Sequence, residues 1–564
     1  MKVVIIGGVA GGATAAARLR RLDESAEIVV LERGGYVSYA NCGLPYYLGG
    51  VIRDRAKLLL QTPESFRRRF NVDVRVHNEA VAILRAQKQV RVRRVEDGGE
   101  YLESYDKLIY APGAKAVRPP FVGQSARVFT LRTVEDTFAV DDFLRERRPR
   151  RALVVGGGFI GLETAENLAE RGISVTLVQL EDQVMPPFDY DMACILHAKL
   201  REKGIDLRLR SRVTSLRDEG EGVRADIEGG AAVSADFALV AVGVAPETEL
   251  AAAAGLELGL RGAVVVDEHM RTSDPDIYAV GDAVQVKNAV TGQQALVPLA
   301  GPANRQGRVA ADNVAGIAGV YRGAQGSSVM KLFELTAAST GLSVRAARAA
   351  GFAADSVLLF SPDHATYYPG AKNMTLKVVY DRTDGRILGA QAVGFGGTEK
   401  RMDVLATAVR AGLTADDLTA LDLCYAPPYS SAKDPVNMAG YVIGNVLRGL
   451  VRQHGWEDVP AISQREDAVL LDVQTPGEFA QAHLRGAVNI PVDELRARLG
   501  ELDRGKTVYV NCYSGLRSYI ACRILVANGF SCSNLAGGIR FYKVVAEGGG
   551  YDEAPRHLCG LGCE

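Results

Sequence analysis

Two cysteines in this chain stand where sulfur chemistry can be done. Cys42 lies in Ser38-Tyr39-Ala40-Asn41-Cys42-Gly43-Leu44-Pro45-Tyr46-Tyr47, flanked by small and polar residues, about ten positions after Glu32. A thiol is a nucleophile only as thiolate, and a helix N-terminus lowers its pKa. The segment therefore reads as a redox-active cysteine, against the alternative of a small buried packing residue. Cys512 follows the strand-like run Thr507–Asn511 and opens Cys512-Tyr513-Ser514-Gly515-Leu516-Arg517-Ser518 ahead of a helix. A cysteine in a glycine-containing loop between strand and helix faces converging backbone N–H groups, a nest for thiolate or for the outer sulfur of a persulfide. Four residues stand between Cys512 and Arg517. Cys522 and Cys532 read as packing residues. Cys559 and Cys563 close a glycine-rich tail expected to be disordered, the alternative being a flexible dithiol passing sulfur from Cys512 to Cys42.

The elements that must position Cys42 begin at the N-terminus. Val3–Ile6, Gly7-Gly8-Val9-Ala10-Gly11-Gly12, a helix over Ala13–Leu22 and a strand Glu27–Leu31 ending at Glu32 make a βαβ unit. Its helix N-terminus faces a pyrophosphate and Glu32 a ribose hydroxyl. Val9 stands where the glycine pattern wants its middle glycine. Arg18 and Arg21, three apart on that helix, share one face and are either surface charge or contacts to a phosphate-bearing substrate near Cys42. A second unit starts at Arg151–Val155, where Gly156-Gly157-Gly158-Phe159-Ile160-Gly161 matches the full pattern and Glu163 follows. Its second strand, Ser174–Val178, ends at Gln179, with neither acid nor base there to choose between NADH and NADPH; Glu181 is the nearest carboxylate. Two such folds imply two dinucleotides, a bound flavin (FAD) and a diffusible NAD(P)H, the flavin passing electrons to a neighbouring sulfur bond. Lys107–Ala114 reads as a strand running into a Pro-Gly turn. Thr272–Asp282 reads as a strand that delivers Asp282 to the ribityl hydroxyls or, alternatively, to a helix N-cap.

Composition sets the outer limits. At 564 residues three or four domains are expected, and 66 Lys+Arg against 67 Asp+Glu leave no field to attract nucleic acid or an anionic membrane. The runs Arg67–Arg69 and Arg145–Arg151 read as solvated helix faces. Eight cysteines in a chain this long make no disulfide scaffold. No apolar run is long enough to span a bilayer, and no signal-peptide pattern precedes the first strand, so the cytoplasm is the expected location. No metal site is expected.

Over approximately residues 1–440 the chain resembles the two-dinucleotide-binding flavoprotein disulfide reductases, within them the single-cysteine, coenzyme A-disulfide reductase branch. The motifs are GGVAGG, SYANCGLPYY, GGGFIGLE, TSDPDIYAVGD and the later Tyr-Ala-Pro-Pro-Tyr. No second cysteine follows Cys42 at the spacing of thiol-pair members. Val9-Ala10 stands where peroxidases and water-forming oxidases of the branch carry a histidine. The resemblance implies that Cys42 is the redox nucleophile and Phe159 an aromatic gate over the flavin. FAD would contact Gly7, Gly8, Ala10, Gly11, Glu32, Arg33, Ala111, Gly113, Gly281 and Asp282. NAD(P)H would contact Gly156, Gly158, Phe159, Ile160, Gly161, Glu163 and Gln179. Thr14, Arg18, Arg21, Ser38, Asn41, Asn304 and Lys433 would line a coenzyme A channel. Tyr367 and Tyr425 would stand opposite Cys42 of the other subunit in a homodimer, the alternative being packing tyrosines with wet tips; Tyr368 and Tyr429 are their near neighbours. Residues 463–548 resemble a rhodanese domain carrying Cys512 and Arg517.

The expected fold is thus α/β: two Rossmann-like dinucleotide-binding domains, an α+β dimerisation domain and a C-terminal α/β rhodanese domain. The expected boundaries are 1–112 and 246–330 for FAD, 113–245 for NAD(P), 331–445 for dimerisation, 446–462 for a polar link, 463–548 for rhodanese and 549–564 for the tail. The expected activity is NAD(P)H-dependent reduction of coenzyme A persulfide, polysulfide or coenzyme A disulfide, Cys512 supplying or accepting sulfane sulfur. The competing readings are an NADH oxidase working through a cysteine sulfenic acid, and a sulfurtransferase or redox sensor with a regulatory flavin module.

Overall fold

The structure, a computed structural model, describes residues 1–546 and 548–550. Cys559 and Cys563 lie outside the described residues. The chain divides into two compact units, Met1–Glu181 with Ile205–Gly326, and Asp182–Gly204 with Ser327–Glu564.

The first unit holds two parallel five-stranded sheets. One runs in the order Ile277–Ala279, Lys107–Tyr110, Lys2–Ile6, Glu27–Leu31, Asp73–Arg75. Its central register pairs Ile5 with Val30 on one side and Ile109 on the other. The other runs Asp206–Arg208, Ser174–Val178, Arg151–Val155, Phe237–Val240, Val128–Phe129. Val3, Val4 and Ile5, like Leu153 and Val154, have no exposed surface. Sheets covered on both faces demand such unbroken apolar strands, and they place both glycine loops at the carboxyl ends of their first strands. The strand expected over Thr272–Asp282 is shorter, Ile277–Ala279. The Ser273-Asp274-Pro275 segment is a turn instead, in which the Thr272 hydroxyl bonds the Ile277 carbonyl at 2.9 Å and accepts from Asp274 N–H at 3.1 Å.

The second unit contains an antiparallel five-stranded sheet ordered Ser328–Leu332, Leu335–Gly341, Ile387–Gly394, Asn373–Asp381, Ala354–Pro362. Every residue of its Asn373–Asp381 strand is buried. It also contains a parallel sheet ordered Gln453–His454, Cys532–Leu535, Thr507–Asn511, Ala468–Asp472, Val488–Asn489. The segment expected as a polar link is folded: Gln453–His454 is the edge strand of this last sheet, paired in parallel with Asn534 and Leu535. Val451, Val459 and Ile462 are buried and anchor the stretch, whose other residues are exposed or half-buried.

Candidate active site

The glycine loops are built alike. Gly7 has φ +95° and Gly156 φ +110°, conformations a side chain resists, and each strand-end N–H bonds across the sheet, Gly7 to Leu31 and Gly156 to Val178, both at 2.9 Å. A Cβ on Gly12 would lie 1.9 Å from the Gly7 oxygen, and one on Gly161 1.9 Å from the Gly156 oxygen. The side chain ending the second strand braces each loop from below. Glu32 accepts from Gly8 N–H at 3.0 Å and Gly34 N–H at 2.8 Å, and Gln179 accepts from Gly157 N–H at 2.9 Å. Burial raises the Glu32 pKa, against the pull of those two N–H donors. In the second fold the Gln179 carbonyl oxygen is committed to the loop, and no carboxylate stands there.

A cleft of about 1340 Å³ extends from the first loop to Cys42. It is lined by Gly7, Ala10, Gly11, Glu32, Arg33, Ala111, Gly113, Gly281 and Asp282 and, towards Cys42, by Thr14, Ser38, Asn41 and Asn304. Gly8 sits behind this surface, bonded to Glu32. The length, the glycine turn under a helix N-terminus at Ala10 and the acid at the strand end fit a dinucleotide. Arg33 reaches across to Glu247, one arm at 2.9 Å. Thr14 donates to Asn304 at 2.8 Å, fixing two polar walls of the cleft. Arg18 bonds Asp312 at 2.7 Å, so its charge is already shared, while Arg21 is exposed. Phe159, Ile160 and Glu163 form the first turns of the helix Phe159–Glu170, outside the cleft lining.

Cys42 sits in a single 3-10 turn, Asn41–Gly43, continuous with the short helix Leu44–Leu48. The expected lowering of its pKa is not what this turn produces. Its thiol is accessible from the cleft, yet enclosure by the walls pushes the pKa up, and the Glu163 carboxylate adds to this while Arg132 opposes it. Enclosure and the neighbouring carboxylate outweigh the lowering that the helix start was expected to give. Arg132, which sequence reasoning did not single out, organises this end. It donates to Asp282 at 2.7 Å and to the Ala114 carbonyl at 2.9 Å, and exchanges two 3.0 Å bonds with the Asn41 amide. Nothing local in the sequence marks it.

In the second unit, Tyr367 and Tyr425 come from separate loops and meet hydroxyl to hydroxyl at 2.6 Å, both exposed. Tyr368 packs edge-on against His364, and Tyr429 is exposed. The exposed Lys433 precedes Asp434, the N-cap of the next helix. The two tyrosine loops are laced by Arg401, which donates to the carbonyls of Asp363, Tyr429 and Gly397 and pairs with Asp434 at 3.1 Å.

Cys512 is 1% exposed. Its sulfur accepts from Gly515 N–H at 3.1 Å and the Ser518 hydroxyl at 3.3 Å, donors suited to a thiolate. Gly515 takes φ +102° to turn its N–H inward. Arg517 grips Glu478 with both arms, at 2.7 and 2.9 Å, and Glu478 also closes the capping box of Thr475. The acid three residues after a capping threonine was the signal that could have found Glu478. Cys522 and Cys532 are buried in the same apolar core as Cys512.

A two-sheet dinucleotide architecture with a cysteine at the end of the first cleft has clear counterparts. Residues 1–307 match the pyridine nucleotide-disulphide oxidoreductase model, 327–435 the dimerisation domain of the same family, and 456–543 the rhodanese-like domain. The chain belongs to the pyridine nucleotide-disulphide oxidoreductases. This oxidoreductase is 37% identical over 445 residues to a coenzyme A disulfide reductase of Staphylococcus haemolyticus, spanning 78% of this chain and 98% of the relative. It is similar to the crystal structure of reduced Bacillus anthracis CoADR-RHD, with TM-score 0.94 and 46% identity over 97% of this chain and 98% of that one. It is also similar to an NAD-dependent persulfide reductase from A. fulgidus, with TM-score 0.91 and 40% identity over 96% of this chain and all of that one. The oxidoreductase thus uses FAD and NAD(P)H and carries a rhodanese domain at its C-terminal end. Among the described residues no helix is long and apolar enough to cross a membrane.

Proposed function

We propose that the enzyme reduces sulfur–sulfur bonds in coenzyme A persulfide, polysulfide or coenzyme A disulfide with NAD(P)H, as a homodimer. The observation that carries this reading is the continuous cleft that joins a dinucleotide-sized site to an accessible cysteine, lined by Thr14, Ser38, Asn41 and Asn304. Bound FAD supplies the two-electron link between a nicotinamide hydride and a sulfur bond. Cys42 attacks one sulfur of the substrate, the other departs as a thiol, and the mixed disulfide on Cys42 is then reduced. Tyr367 and Tyr425 serve Cys42 of the second copy, where one hydroxyl donates to the departing thiolate while the other holds it by their mutual bond. Cys512 holds sulfane sulfur against Gly515 N–H and the Ser518 hydroxyl and hands it to the reductase half. Glu478 keeps Arg517 in place beside that loop. Fusion of the two halves raises the effective concentration of a labile intermediate. Similarity along almost the whole chain to a persulfide reductase favours this over oxygen reduction, since the water-forming NADH oxidase of Lactobacillus brevis covers 80% of the chain at 29% identity.

The test follows NADH oxidation, oxygen uptake and sulfide release with coenzyme A persulfide as acceptor. Stoichiometric sulfide that disappears in Cys42→Ser supports the reading. Oxygen uptake that accounts for the NADH with or without persulfide overturns it.

A further inference from the structure

The reaction proposed above needs a proton that moves with the sulfur, and the first unit sets a hydroxyl and a carboxyl near Cys42. Cys42 and Tyr46 are four residues apart along a continuous run of helical turns, which stacks them on one face. The Tyr46 hydroxyl bonds the Glu163 carboxylate at 3.3 Å. That carboxylate belongs to the helix that starts at the second glycine loop. The two helices are clamped: Arg171 donates to the Leu48 carbonyl at 2.7 Å, and a Cβ on Gly49 would lie 1.9 Å from the Asn167 side-chain oxygen.

We infer that Glu163 is the proton carrier for the Cys42 sulfur, with Tyr46 as the positioning residue between them. The inference rests on Cys42 being the redox thiol. Glu163 in its carboxylate form takes the proton from the Cys42 thiol, generating the attacking thiolate. When the substrate S–S bond breaks, its electron pair leaves with the departing sulfur, which takes a proton from water beside the tyrosine pair, and Glu163 returns its own proton to the Cys42 sulfur once the mixed disulfide is cleaved. No oxidant or reductant is consumed in this half. The electrons that later cleave the mixed disulfide come from NAD(P)H, whose hydrogen supplies the proton for the second departing thiolate, so that one proton from water and one hydride are consumed per turnover.

The electrostatics support the assignment. Burial pushes the Glu163 pKa up to about 7, with the neighbouring Glu166 adding to it and the Tyr46 hydrogen bond opposing it. A carboxyl poised near neutrality both accepts and donates, the condition for efficient acid–base work. Cys42 is faced by Glu163 and Asp282, which raise its pKa, and by Arg132, which lowers it. Tyr46 is raised by burial and by Glu163, Glu166 and Cys42, and stays a neutral hydroxyl throughout.

The experiment uses the FAD-loaded protein with Cys42 reduced. Iodoacetamide labelling of Cys42 against pH reads the thiol pKa directly, and turnover with coenzyme A disulfide against pH reads the proton carrier. In Glu163→Gln the thiol pKa falls, because the adjacent negative charge is gone, and labelling at pH 7 rises several-fold. Turnover nevertheless drops roughly 10²-fold and loses its inflection near neutrality. Tyr46→Phe lowers turnover with the inflection displaced, and Glu163→Asp restores part of the rate. An unchanged labelling profile, or an inflection that persists in Glu163→Gln, overturns the inference. Activity that survives Cys42→Ser overturns instead the reading on which it rests.

Discussion

Arg401 offers the sharpest test of how the tyrosine pair is held. It is 1% exposed and donates to Asp434 and the Ser430 hydroxyl and to the carbonyls of Gly397, Asp363 and Tyr429. Asp434 is itself 3% exposed and accepts from the Ser430 hydroxyl at 2.7 Å. Arg401→Met removes the cation, keeps most of the volume, and strands a buried carboxylate together with carbonyls from both tyrosine loops. Removing one partner of a buried ion pair costs about 3–5 kcal/mol. For a unit of about 260 residues each kcal/mol shifts Tm by about 2–4 °C, so the expected drop is roughly 6–20 °C by scanning calorimetry. The functional arm is kcat with coenzyme A disulfide, which falls with the loosened loops even at temperatures where the variant is folded. Arg401→Met/Asp434→Leu, which removes both charges, recovers part of the lost Tm. A single variant within about 2 °C of the parent, with kcat intact, would refute the claim that this arginine fixes the tyrosines.

Three further outcomes are expected. Burial lowers the His197 pKa to about 4, and its ring nitrogen accepts from Val184 N–H at 3.1 Å, so the neutral form is native. Its contribution is complete above the unfolded value of about 6.5 and is lost as pH falls towards 4, about 3 kcal/mol in all; urea titrations of His197→Gln should lack that part of the acid slope. Gly12→Ala forces a methyl into the Gly7 carbonyl, and the purified protein should carry well under one FAD per chain by flavin absorbance. Gln179→Glu keeps the bond to Gly157 but places a negative charge at the strand end. The KM ratio of NADPH to NADH should rise about tenfold, and an unchanged ratio would remove Gln179 from the ribose site.

The glycine loops, their strands and Cys42 were legible because each depends on neighbours within a few residues: a turn, a helix start, an acid at a fixed spacing. The same holds for Cys512 between its strand and helix. Arg132 was not, since it meets Asn41 and Asp282 only after the chain has travelled about ninety residues one way and one hundred and fifty the other. Arg401 and Asp434 look like ordinary surface charges until two loops fold over them. The sign of the Cys42 shift was misread for a related reason. Helix dipole is a local quantity that spacing suggests, whereas enclosure and the charge on Glu163 come from tertiary packing. Gln179 was read as the residue standing where a ribose acid is expected, and its bracing of the loop above became visible only with the packing.

The seclusion of Cys512 governs how a sulfur atom parked there can be spent. The turn after the last strand closes over the loop so tightly that a Cβ on Gly538 would lie 2.4 Å from the Cys512 carbonyl oxygen, and Gly537 lies against Leu358 and Phe541. A sulfur atom carried there would be shielded from water and stray thiols, and equally from a recipient, so its delivery would require the loop to open.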